Sequence, residues 1–172
     1  MTILPILTVP NEELRTKAAR VEITDEEFWK LVEDMKETAR KHNLVGLAAT
    51  QVGENKAVFI MDSNATDDPS AEAQEPEWRV CINPTVFPAG NSQKEYGLEM
   101  CASLPNVVGR VDRYIDVTLD YWASGNHHTT AKLTGYQARI AQHEANHLDG
   151  KLFTDLTKMI RRKQSAVPVK QG

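Results

Sequence analysis

The run His143-Glu144-Ala145-Asn146-His147 constrains this chain more than any other stretch. Two histidines four apart on a helix lie one turn apart on one face, so both imidazoles can reach a single metal ion, with Glu144 beside it as a general base. A catalytic ion of this kind takes a third protein ligand and keeps one position open for water. Phe153 stands six residues after His147, where a further His would extend the motif, and residues 148–172 contain neither His nor Glu. The third ligand is therefore expected upstream, and the chain must fold back to bring it against this helix.

Tyr136, Ile140, His143 and His147 recur at spacings of four, three and four and form one continuous helix face. A lone His on such a face reads as a core residue satisfied by hydrogen bonds. Burying two of them costs ~1–3 kcal/mol each unless something satisfies them, and a shared metal ion does so. Candidates for the third ligand are Cys101, Cys81, His42, His127 and His128. His42 closes a surface helix, and His127 and His128 adjoin a turn. Cys81, in Arg79-Val80-Cys81-Ile82, reads as a small buried hydrophobe. Cys101 is preferred: it lies in a mixed polar and apolar stretch flanked by Gly97 and Pro105, which does not read as a plain core strand, and a thiolate suits a borderline-soft divalent ion.

With 172 residues, 41% of them hydrophobic and 26% charged, the chain is expected to form one globular domain over 1–172. A formal charge of −4 gives no general reason to expect nucleic acid or an anionic membrane as partner. From about residue 156 a short basic tail carries Lys158, Arg161, Arg162, Lys163 and Lys170; it reads as a solvated helix end, with a phosphate-rich partner as the other reading. No apolar run approaches the ~20 residues of a membrane span and the first ten residues lack a basic leader, so a cytoplasmic protein is expected. Two cysteines are too few for a disulfide framework, which leaves thiols free to bind metal.

Asn11 as N-cap, followed by Glu12 and Glu13, predicts a short helix through about Ala19. Phe28, Leu31, Val32, Met35 and Ala39 predict a second helix from Thr24 or Asp25 to about His42 and Asn43. The small-residue stretch from Leu44 to Gly53 suits a packed turn or the wall of a site. Ala57 to Met61 reads as a buried strand, and Ser63 to Glu77, acidic and holding two prolines, as an exposed excursion. Strands are predicted at Trp78 to Ile82, Thr85 to Phe87, Val107 to Val111, Ile115 to Trp122 and His128 to Leu133, with a turn at Ser124-Gly125-Asn126. A last helix runs from Tyr136 to Leu148, with Gly150 as its stop. The fold class is α+β, with antiparallel strands packed around a C-terminal helix that carries the metal motif.

Three stretches resemble the motifs of the peptide deformylase family. Leu44 to Gln51 resembles Gly-apolar-Gly-apolar-Ala-Ala-x-Gln, Glu99 to Ser103 resembles Glu-Gly-Cys-Leu-Ser, and Gln142 to Leu148 resembles Gln-His-Glu-x-Asp-His-Leu. Pro10 with Leu14-Arg15 matches a weaker N-terminal pattern, which carries the resemblance to about Asp155. It implies an enzyme that removes the formyl group from the N-terminal methionine of new polypeptides. The implied metal ligands are Cys101, His143 and His147, holding ferrous iron in the cell, with zinc, nickel or cobalt able to replace it. Gln51, through its side-chain amide, and Ala102, through its backbone N–H, are the implied oxyanion donors, with Glu144 as the base that then protonates the leaving amine. Val45, Gly46, Tyr136 and Ile140 are the candidate substrate-binding residues.

The chain departs from these motifs at Leu44 and Met100, where the family has glycine, at Ala102, where it has leucine, and at Asn146, where it has aspartate. None of these removes a ligand, the base or the amide. The expected partners are N-formylmethionyl nascent peptides, with a weak ribosome contact through the basic tail. Two rival readings are another metal-dependent peptidase or N-deacylase, and a binding protein that keeps the fold without turnover.

Overall fold

A computed structural model describes residues 1–22, 24–157 and the backbone of 160–162. Among these, the chain forms two α-helices and eight strands: α1 (Glu26–Lys41), β1 (Gly46–Ala48), β2 (Val58–Asp62), β3 (Trp78–Pro88), β4 (Lys94–Cys101), β5 (Leu104–Tyr114), β6 (Asp116–Ala123), β7 (His127–Thr134), α2 (Gly135–Leu148) and β8 (Ile160–Arg162). A five-stranded sheet has the order β1-β2-β3-β6-β7 and a three-stranded sheet the order β4-β5-β8, with every pairing antiparallel. This is the expected α+β arrangement.

β2 explains how the larger sheet is built. All five of its residues are buried. Phe59 and Met61 face α2 and pack with Ala138, Ile140, Ala141 and Leu148, while Val58 and Ile60 face α1 and pack with Phe28, Val32, Met35 and Ala39. A strand covered by helices on both faces carries a continuous apolar run, because successive side chains point to opposite faces and both are dry. Each large side chain buried this way contributes ~1.5–3 kcal/mol relative to exposure. Asp25 caps α1 by accepting from the Phe28 N–H at 2.9 Å, a contact of about 1 kcal/mol.

Several predicted elements change in extent. The helix expected from Asn11 to Ala19 is a single 3₁₀ turn over Glu12–Arg15, although Asn11 does accept from the Glu13 N–H at 2.8 Å. Its continuation is drawn off by tertiary partners: the Ala18 N–H donates to Leu148 O and the Ala19 N–H to the Asn55 side chain. The two strands expected on either side of Asn83-Pro84 are one strand, β3, whose register against β6 shifts between Ile82 and Thr85. The stretch holding Cys101 was not expected as a strand, yet it is β4; its Gly97 and charged residues mask the alternation. Residues 160–162 of the basic run form β8 rather than a helix end, and the run's side chains lie outside the described residues. Among the described residues, no helix is long and apolar enough to cross a membrane.

Candidate active site and metal cluster

The N-terminal segment laces the elements of the site together. Leu7 N–H donates to Gln51 O and Val9 N–H to Ser103 O, so one extended segment ties the 3₁₀ turn Ala49–Val52 after β1 to the β4–β5 turn. α2 is then held beneath both, with the Thr50 hydroxyl donating to His147 O at 3.2 Å.

Among the described residues, Cys101, His143 and His147 form a group whose ligand atoms lie within 4.8 Å of one another. Cys101 Sγ is 3.2 Å from His147 Nε2, and the two Nε2 atoms are 3.3 Å apart. Two imidazole nitrogens bound tetrahedrally at ~2.0–2.1 Å to one ion stand about 3.3 Å apart, so this convergence fits a shared divalent metal. The donor set, one sulfur and two nitrogens, suits a borderline-soft ion. Cys81 is buried in the core with its thiol pushed up by burial; His128 bonds Asp120 at 3.0 Å on the β6–β7 pair; His42 borders the cavity but adds no atom to the cluster.

Glu99 orients the cluster from behind. Its carboxylate takes Arg113 Nε and Nη2, each at 2.9 Å, Arg139 Nη1 at 3.0 Å and His143 Nδ1 at 2.9 Å. Burial alone would raise its pKa, but the hydrogen bonds and charges of Arg113 and His143 outweigh that and hold it well below the usual carboxylate range. The bond at Nδ1 places a proton there and turns Nε2 of His143 toward Cys101 and His147. The Arg113 guanidinium also donates to Asn146, so an amide at 146 still accepts from the arginine. Glu99, Arg113 and Arg139 were not singled out from the sequence. Glu99 lay within a recognised motif, but nothing linear points to Arg113.

The two imidazoles of the cluster sit in opposite electrostatic settings. Burial disfavours an imidazolium on His143, yet hydrogen bonds to Cys101 and Glu99 and the charge of Glu144 push its pKa up to about 10. His147, by contrast, is held well below its ordinary value by burial and by the charges of His143 and Arg113, which keeps its ring neutral. Its Nδ1 has no hydrogen-bond partner among the described residues.

Glu144 is 4% exposed, its Oε2 has no hydrogen-bond partner among the described residues, and burial pushes its pKa up to about 7. Gly46 makes room for it: a Cβ at position 46 would lie 2.5 Å from Glu144 Oε1. Gln51 is locked by its own oxygen, which accepts from the Ala48 N–H at 2.9 Å. Its Nε2 therefore points at Cys101 Sγ, 3.4 Å away, and at Ser103 Oγ, 3.2 Å away.

These groups share a cavity of about 460 Å³. Of the residues expected from the sequence, Val45, Gly46, Gln51, Cys101, Ala102, Tyr136, Ile140, His143 and Glu144 all line it, with His147 buried behind. The cavity lies between β1, an edge strand of the larger sheet, and β4, an edge strand of the smaller. A second cavity of about 440 Å³, lined by Val86, Gln142 and Asn146, contains none of the metal cluster. A buried carboxylate beside a cysteine–histidine cluster, with an amide N–H at hand, is equipped for hydrolysis of an amide.

Comparison with known proteins agrees. A family model described as polypeptide deformylase matches residues 3–163. A peptide deformylase from Chromohalobacter salexigens is 40% identical over 162 residues, covering 94% of this chain and 90% of its own. One from Pseudomonas aeruginosa is 36% identical over 162 residues, covering 94% and 91%. Among solved structures, the peptide deformylase from Ehrlichia chaffeensis in complex with actinonin matches with TM-score 0.82 at 30% identity, covering 92% of this chain and 90% of its own. The Met-Ala-Ser-bound class I type b enzyme from Acinetobacter baumannii matches with TM-score 0.81 at 31% identity, covering 90% and 98%.

Proposed function

The chain belongs to the polypeptide deformylase family, and from that premise we propose how its own residues remove the N-formyl group from the terminal formyl-methionine of new polypeptides. Cys101, His143 and His147 would hold one divalent ion, ferrous iron in the cell and zinc, nickel or cobalt in purified protein. When bound, that ion supplies Lewis acidity toward the formyl oxygen and the attacking water.

Glu144 takes the proton from the attacking water and delivers it to the methionine nitrogen as the formyl C–N bond breaks, so formate and a free amine leave. A carboxyl near neutral pKa does both, since it must accept and donate within one turnover. Gln51 Nε2 and the Ala102 N–H stabilise the negative charge that develops on the formyl oxygen. Ser103 Oγ, which takes the second Gln51 contact, holds that amide in place. The methionine side chain packs against Tyr136 and Ile140, and the peptide backbone lies extended between Val45-Gly46 and β4, where two strand edges offer hydrogen bonds.

The observation that carries this assignment is the buried carboxylate of Glu144 beside the converging Cys101, His143 and His147. The test separates the two roles. Anaerobically purified Glu144→Ala should keep its metal and lose turnover of formyl-Met-Ala-Ser by about 10²–10⁴-fold, whereas Cys101→Ala should lose the metal itself. Full metal occupancy in Cys101→Ala overturns the ligand set. The reading also includes a single domain acting in the cytoplasm and a weak ribosome contact through the basic residues after 157, supported by charge alone.

A further inference from the structure

We propose that Leu98 and Met100 are specificity-determining residues that favour apolar side chains in the two residues following the formyl-methionine; the inference rests on the deformylase reading and concerns the same cavity. Burial alternates from Leu98 to Cys101 at this end of β4, across a shift in its register with β5 between Glu99 and Cys101. Glu99 and Cys101 point inward to the cluster, and Leu98 and Met100 point out, 73% and 61% exposed. Both also border the cavity beside Cys101 and Ala102. Two large apolar side chains at i and i+2 on one strand face are neighbours, and here they form a patch at the mouth of the site rather than scattered surface.

The opposite bank of the mouth is Leu44 and Val45, both half-buried, so apolar surface flanks the opening on both sides. The other exposed residues of the rim are His42, Asn43 and Asn106, with no carboxylate, lysine or arginine among them. Tyr96, the next outward residue of β4, differs because Arg110 lies over its ring at 4.5 Å. The occupant is identified by continuity with the cavity. A substrate whose methionine enters the pocket leaves by this mouth, and an extended backbone turns successive side chains alternately toward one bank and the other. Apolar side chains there cover Leu98 and Met100; a carboxylate there loses solvation, and the two guanidiniums beside the mouth are already engaged, that of Arg110, opposite Leu98 on β5, over the Tyr96 ring and that of Arg139 on Glu99.

The experiment measures kcat and KM of the metal-loaded enzyme on formyl-Met-Ala-Ser, formyl-Met-Leu-Ser, formyl-Met-Asp-Ser, formyl-Met-Ala-Leu and formyl-Met-Ala-Asp. Burying roughly 40–60 Å² of apolar surface at ~25 cal/mol per Å² gives about a five- to tenfold preference for leucine over aspartate at one or both positions, expressed in KM. In the Leu98→Ser/Met100→Ser variant that ratio should fall to within about twofold of unity. Both side chains are exposed, so the fold does not depend on them. Equilibrium binding of the products Met-Leu-Ser and Met-Asp-Ser should show the same ratio and the same loss without turnover. A wild-type ratio near one at both positions, or a ratio unchanged in the variant, overturns the inference and leaves the deformylase reading standing. Failure to deformylate any of the five peptides overturns both.

Discussion

Gly46→Ala probes the position of the Glu144 carboxylate. An added Cβ would stand 2.5 Å from Oε1, 2.8 Å from Cδ and 2.9 Å from Cγ of Glu144. To reach an ordinary contact of 3.4 Å, the carboxylate must retreat by about 0.9 Å. The obstruction is the Glu144 side chain from Cγ outward rather than backbone, so the strand survives while that side chain must rotate away. Alanine also replaces glycine in a strand at a gain of roughly 0.5–1 kcal/mol, which offsets part of the crowding. The reaction is less tolerant. A misplacement of about 1 Å costs up to ~10²-fold when a reacting group must lie within hydrogen-bond reach of the proton it moves.

The expected result is a 10–100-fold fall in kcat/KM on formyl-Met-Ala-Ser, about 1.4–2.7 kcal/mol of transition-state stabilisation, with metal content and melting temperature near wild type. A double-mutant cycle excludes simple blockage of the cavity. In a Glu144→Ala background, Gly46→Ala should add almost nothing, because the side chain it displaces is already absent. Activity within twofold of wild type in the single variant, or full additivity in the double, refutes the assignment of Glu144 as the proton carrier held in place by a bare residue 46.

Two further outcomes follow from buried carboxylates. Glu99→Gln removes the charge that receives Arg113, Arg139 and His143, and metal affinity should fall about 10–100-fold in a chelator competition; unchanged affinity would mean that His143 is oriented without it. Asp34 accepts the Thr2 N–H and pairs with Lys30, and these two hydrogen bonds lower its pKa below 3.8. Its contribution to stability is therefore fully present above the unfolded value and is lost as pH falls through the lower folded value. Acid unfolding followed between pH 5 and pH 2 should be less steep in Asp34→Asn than in wild type, and identical profiles would remove Asp34 from the account.

Local pattern made part of this protein legible and left part hidden. The helix bearing His143, Glu144 and His147 could be read because its partners are four residues apart and helical geometry alone brings them together. α1 could be read from its apolar stripe, and β2 from its continuous apolar run. β4 could not, since Gly97 and the inward-facing Glu99 break the pattern by which strands are recognised. Glu99 is inward because Arg113, Arg139 and His143 meet it there, and each comes from another element. The first helix is shorter than its pattern predicts for a related reason: its capping signal is real, but the Asn55 side chain and the Leu148 carbonyl of α2 take the chain after Thr16.

By itself, the sequence determined the chemistry available: the ligand types, the carboxylate next to the first histidine, the amide of Gln51, and the departures at Leu44, Met100 and Asn146. Only the tertiary structure decided what those groups can do. It brought Cys101 to 3.2 Å from His147, fixed the ring orientation of His143 through a buried Glu99, and left Leu98 and Met100 exposed at the mouth of the same cavity. The division has a physical cause. Residue type and helical spacing are local properties, whereas burial, desolvation and convergence depend on where distant segments pack.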